Sequence, residues 1–191
     1  RHAKKALSEG ADGLILVCAG AGGHAGTLSP FALVSEIREF FDGPIALSGS
    51  ISEGSSVLSA LALGADFAYV GTKFIATEEA NASPGYKQMI IDSTANDIMY
   101  SATFTGVDGN YLRPSVVAAG LDPEEHTSGS KDDMNFSSSA IAKKDNSSKA
   151  WKDIWGSGQG IGSIKDAPSV EDAVDKMVEE YQEAKKRLDQ F

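Results

Sequence analysis

Three stretches gather small residues rich in hydrogen-bond donors. Leu47 is followed by Ser48-Gly49-Ser50, and Val70 by Gly71-Thr72. Cys18 is followed by Ala19-Gly20-Ala21-Gly22-Gly23-His24-Ala25-Gly26. Glycine lets an anion approach the main chain, backbone N–H groups point at it, and Ser and Thr hydroxyls add donors. Such a phosphate site needs no Lys or Arg. The competing reading is that the glycines only make tight turns. Histidine is the side chain suited to take or give a proton near neutral pH, and His24 lies inside the glycine loop. The alternative for His24 is a structural side chain capping the next helix. The loop is not a dinucleotide fingerprint, because that pattern wants an acidic residue at the end of the next strand, where Ser48 stands. Cys18 sits in an apolar run and reads as a small buried residue rather than a reactive thiol. Glu78 and Glu79 are expected on a solvated helix, and no carboxylate pair has a spacing suited to acid–base work.

The elements around these stretches follow from apolar patterning. Residues 2–9 read as a helix stopped by Gly10, and Gly13 to Cys18 as a strand buried on both faces. Phe31, Leu33, Val34, Ile37, Phe40 and Phe41 have helical spacing. Asp42-Gly43-Pro44 is a stop, and Ile45-Ala46-Leu47 a second short strand. A helix over 53–63 closes at Gly64, and Asp66 to Val70 forms a third strand. Strands alternating with helices imply parallel βα units, in which ligands sit at the C-terminal strand ends. Each of the three donor-rich stretches is such a strand end. Residues 73–100 read as helical with a break at Ser83-Pro84-Gly85, and 98–105 as extended. Residues 122–150, rich in Ser, Lys, Asp and Asn, read as a mobile surface loop or insert. Trp151, Ile154 and Trp155 restore apolar anchors before a further glycine loop, Gly156 to Gly162. Ser169 then caps an amphipathic helix over 170–189, with Val170, Ala173, Val174, Met177, Val178 and Tyr181 on one face.

Composition narrows the function classes. The 191 residues carry a net charge of −10, so the basic face that nucleic acid requires is not provided for, and an anionic membrane is disfavoured in the same way. One cysteine rules out an intrachain disulfide framework, and His2, His24 and His126 are too scattered to suggest a shared metal. No apolar run approaches a membrane span and no signal peptide opens the chain, so the expected location is the cytoplasm. The opening Arg1-His2-Ala3-Lys4-Lys5-Ala6-Leu7 reads as the middle of a helix, which suggests a fragment.

Taken in order, Ala21-Gly22-Gly23-His24-Ala25-Gly26, Leu47-Ser48-Gly49-Ser50-Ile51, Ala60 to Asp66, and Gly71-Thr72-Lys73-Phe74-Ile75-Ala76-Thr77-Glu78-Glu79 resemble the nitronate monooxygenase family. The later Gly158-Gln159-Gly160-Ile161-Gly162 is also similar to a family segment. The resemblance implies an α/β fold: the C-terminal portion of a TIM (β/α)8 barrel with a helical lid. It places the last βα units in 1–83, the lid in 84–165 and a closing helix in 166–191. It implies non-covalent FMN, with the phosphate held by Ser48, Gly49, Ser50, Gly71 and Thr72, and with Ala21, Gly22 and Gly23 against the flavin. His24 maps onto the family's catalytic histidine. Many members have a second glycine where Ser50 stands, and serine tolerates positive φ less well. The implied activity is oxidation of alkyl nitronates or nitroalkanes with O2 to carbonyl compounds and nitrite; assembly into a homo-oligomer is left open. The alternatives are a flavin-dependent NAD(P)H enoyl-thioester reductase, or an inactive fragment lacking the first half of the barrel.

Overall fold

A computed structural model describes residues 1–126 and 153–191. The helices are α1 (His2–Ser8), α2 (Pro30–Arg38), α3 (Gly54–Ala62), α4 (Thr72–Ile75), α5 (Pro84–Asp92), α6 (Arg113–Ala118) and α7 (Val170–Leu188). The strands are β1 (Leu14–Val17), β2 (Gly23–His24), β3 (Ile45–Ser48), β4 (Phe67–Tyr69), β5 (Ile98–Ser101) and β6 (Gly109–Leu112). From residue 127 on, the loop expected over 122–150 lies outside the described residues, as does Trp151.

β1, β3 and β4 form a parallel sheet in that order, with Leu14 opposite Ile45 and Leu47 opposite Ala68. Leu14, Leu16, Ile45 and Leu47 are buried against Val34 and Ile37 of α2 and Ala60 of α3. The expectation of strands buried on both faces is corrected here. Successive side chains alternate across a strand, and α2 and α3 cover one side only. On the other face Ile15, Val17, Phe67 and Tyr69 are 58%, 40%, 61% and 54% exposed. At the N-terminal edge of the sheet, the Asp66 carboxylate accepts from the Ile45 N–H at 2.8 Å and from Arg38 at 2.7 Å. The Ile45 hydrogen bond first, and Arg38 second, hold this carboxyl below its usual range.

α7 lies across α3. Its Glu180 carboxylate accepts from the Gly54 N–H at 2.8 Å, capping α3 from a distance. The two backbones touch: a Cβ on Gly54 would fall 2.0 Å from the Met177 carbonyl oxygen. Ser169 caps α7 as expected, accepting from the Asp172 N–H at 3.0 Å. The buried stripe of α7 is Ala173, Met177 and Ala184, whereas Val170, Val174 and Val178 face out. Gly54 lets the backbones touch, and Val174 and Val178, one position past Ala173 and Met177, point away from the contact. Glu78 and Glu79 follow α4 in a turn rather than on a helix, and both Glu79 oxygens accept from the Val170 N–H at 2.9 Å.

The segment Ser83-Pro84-Gly85 starts a helix rather than only breaking one. Ser83 Oγ accepts from the Tyr86 N–H at 3.3 Å and Pro84 takes the first helical turn, where its missing N–H costs nothing. Beyond α5 and α6, this region contributes two strands to an antiparallel sheet in the order β2-β6-β5. That sheet takes its edge strand from the glycine loop itself, pairing His24 with Gly109.

Candidate functional site

The C-terminal ends of β1, β3 and β4 open into one cleft of about 310 Å³, within the usual range for small-molecule sites. Ala21, Gly22 and Gly23 line it from the first strand end, Ser48, Gly49 and Ser50 from the second, and Gly71 and Thr72 from the third. His24 does not line it; it stands one residue past Gly23, exposed, on β2. Ser50 adopts φ 56°, the left-handed region that glycine enters more cheaply, beside Gly49 at φ 139°. Ser50 thus holds a left-handed backbone conformation although it carries a side chain.

The glycine loop at 156–160, which the sequence marks as a further glycine loop without assigning it to the cleft, closes the cleft. The Gly20 carbonyl accepts from the Gln159 N–H at 2.9 Å and from the Ser50 N–H at 3.2 Å, so one oxygen ties two loops. The Gly158 N–H donates to Thr72 Oγ1 at 2.9 Å. Ser52 Oγ donates to the Gly160 carbonyl at 2.7 Å. These contacts require bare backbone: a Cβ on Gly158 would stand 2.8 Å from the Gly20 carbonyl oxygen. A Cβ on Gly23 or Gly71, by contrast, would meet no protein atom within 4 Å.

Asn110, buried at 2% exposure, holds the first loop through Nδ2, which donates to the Ala21 carbonyl at 2.7 Å. Tyr86 also lines the cleft, donating its hydroxyl to the Gly156 carbonyl and stacking on Trp155 at 4.9 Å. Burial pushes the Tyr86 phenol up to about 12, so it stays a neutral donor at physiological pH. Neither Asn110 nor Tyr86 has a sequence signal, because each acts through partners far along the chain. His24 Nε2 lies 3.0 Å from Thr105 Oγ1. Cys18 points away into the core, fully buried, and burial pushes its thiol up to about 11.

Chemically, the cleft offers hydroxyls, glycine backbone and no Lys or Arg among its lining residues, which suits an anion held by dipoles. The site and fold together define an α/β protein built as part of a (β/α)8 barrel, with its cleft at the strand C-termini. The barrel assignment agrees with solved structures. FabK from Thermotoga maritima superposes with a TM-score of 0.73 at 21% identity, over 98% of this chain and 60% of that one. A nitroalkane oxidase from Streptomyces ansochromogenes superposes at 0.70 with 25% identity, over 97% and 56%. The nitronate monooxygenase family model matches residues 1–180, and the chain belongs to that family. The nitronate monooxygenase of Paraburkholderia phytofirmans is 29% identical over 132 residues, which is 64% of this chain and 36% of that protein. The chain thus spans about a third of the length of the curated relatives it matches. Among the described residues no helix is long and apolar enough to cross a membrane.

Proposed function

We propose that this chain carries the FMN cradle and the proton-handling histidine of an oxidoreductase that converts alkyl nitronates, with O2, to carbonyl compounds and nitrite. The observation that carries the reading is the convergence of three strand ends on one cleft free of cationic side chains. The residues present fit FMN. Gly71 and Gly23 line the cleft with no protein atom where a Cβ would stand, leaving room for a ligand against bare backbone. Ser48, Gly49, Ser50, Gly71 and Thr72 would hold the phosphate. Thr72 Oγ1 already accepts from Gly158, which leaves its own proton to donate. Ala21, Gly22 and Gly23 would lie against the ring system, with Asn110 fixing their backbone.

When bound, the flavin would supply the redox chemistry between the electron-rich nitronate and O2. His24 acts beside the cleft, removing the carbon-bound proton of a neutral nitroalkane or donating toward the nitro oxygens of a nitronate. Tyr86 and Trp155 hold the Gly156 end of the closing loop. The test is anaerobic mixing of the intact, FMN-loaded protein with an alkyl nitronate. Bleaching of the flavin is expected. Bleaching by NADPH and none by nitronate would overturn the reading and select the enoyl-thioester reductase alternative.

A further inference from the structure

The histidine beside the cleft sits in a hydrogen-bond set whose protons can be counted. Thr105 Oγ1 has one proton to give. It lies 3.0 Å from the Val107 carbonyl oxygen, which has no proton and only accepts. It also lies 3.2 Å from the Tyr111 hydroxyl and 3.0 Å from His24 Nε2. If Thr105 gave its proton to His24, its oxygen would face the Val107 carbonyl with no hydrogen between them. If it gave the proton to Val107, its two lone pairs would accept from His24 at 3.0 Å and Tyr111 at 3.2 Å, with the Val107 N–H only grazing the oxygen at 3.4 Å, and no contact would set two acceptors face to face. Tyr111 is held for this role, buried at 6% exposure on β6 with Phe104 edge-on against its ring at 5.0 Å. The histidine's backbone is fixed as well. β2 pairs with β6 on one side of it, and the following Ala25 donates to the Asp108 carbonyl at 3.2 Å and accepts from the Tyr100 hydroxyl at 2.8 Å.

We infer that Thr105 is a positioning residue that holds neutral His24 as the Nε2–H tautomer, leaving the lone pair on Nδ1. The function proposed above gives this its use. Nδ1 takes the proton from the α-carbon of a neutral nitroalkane: the C–H bond breaks, an N–H bond forms, and the electron pair moves onto the nitro group as the nitronate. The resulting imidazolium keeps its Nε2–H on Thr105, so the ring need not turn during the transfer. A hydrogen bond of this kind biases a tautomer ratio by about fivefold.

The test uses the intact, FMN-loaded protein labelled with ¹⁵N-histidine, at about pH 8.5, above the ordinary imidazole range. The ¹⁵N shifts of His24 are expected to show a protonated Nε2 and a bare Nδ1 in the parent and in Thr105→Ser. Thr105→Val, which keeps the shape without the oxygen, is expected to mix the two tautomers. Its turnover of neutral nitroalkane should fall about two- to fivefold, with a preformed nitronate unaffected and Thr105→Ser restoring the rate. A parent protein carrying Nδ1–H overturns the inference, and so does Thr105→Val keeping pure Nε2–H. An equal loss on nitroalkane and nitronate makes Thr105 merely structural and also overturns it. The spectra decide the tautomer even if neither substrate is turned over, an outcome that would instead overturn the proposed function.

Discussion

Gly158→Ala isolates the contact between the closing loop and the strand ends. Gly158 has φ −82° and ψ 159°, a backbone conformation open to alanine, so the substitution carries no conformational penalty of its own. Its effect comes from contact alone. The new Cβ would lie 2.8 Å from the Gly20 carbonyl oxygen, 3.2 Å from the Gly22 nitrogen and 3.4 Å from Thr72 Oγ1. Relief requires the loop to retreat by about 0.5 Å, which stretches its bonds past the usual N–H···O range. The Gln159 N–H to Gly20 and Gly158 N–H to Thr72 bonds, both now 2.9 Å, are the ones affected. Two such bonds at about 1 kcal/mol each give about 2 kcal/mol, or about 30-fold in affinity for a ligand that needs the loop in place. The assay is titration of the intact apoprotein with FMN, read by quenching of flavin fluorescence. Gly162→Ala is the control, because a Cβ there meets nothing within 4 Å, and its affinity should match the parent. Parental FMN affinity in Gly158→Ala, with thermal unfolding unchanged, would refute the assignment of this loop to the flavin cleft.

Two further outcomes concern the scaffold. Gly54→Ala places a Cβ 2.0 Å from the Met177 carbonyl oxygen and 2.3 Å from the Tyr181 nitrogen, both backbone atoms that cannot swing aside. The cost should reach at least the upper end of overpacking, about 3 kcal/mol, and calorimetry should show a fall in Tm of roughly 6–12 °C. The Cys18 thiol, buried and pushed up to about 11, should resist iodoacetamide at pH 8 in the native protein and react once denaturant is added.

Half of this architecture was legible as sequence. Apolar runs ending in Gly, Ser or Thr mark β1, β3 and β4, because these short parallel strands are mostly apolar and each is followed by small residues. The antiparallel sheet was only partly legible. Ile98–Ser101 alternates, but Gly109-Asn110-Tyr111-Leu112 is buried at all four positions and shows no period, and β2 is two residues inside a glycine loop. The same limit applies at the site. Ser48 to Ser50 and Gly71-Thr72 announce themselves by type and place. Asn110, Tyr86 and Thr105 do not, since each matters only through a partner 70 to 89 positions away. Nor does composition reveal that one face of the parallel sheet is open, because Ile15 and Phe67 look as apolar as Leu16 and Ile45.

The double acceptor at Gly20 has a kinetic consequence. Neighbouring βα units pair across short stretches of chain, whereas the closing loop returns from 86 positions beyond Thr72 and 108 beyond Ser52. Local pairings form early and distant ones late, so the strand ends should be assembled before the 156–160 loop reaches them. Closure entropy grows only with the logarithm of the intervening length, each doubling costing about 0.6 kcal/mol. The cleft can therefore be completed last while the chain between its walls varies widely in length, as long as the bare backbone at Gly20 and Gly158 still meets.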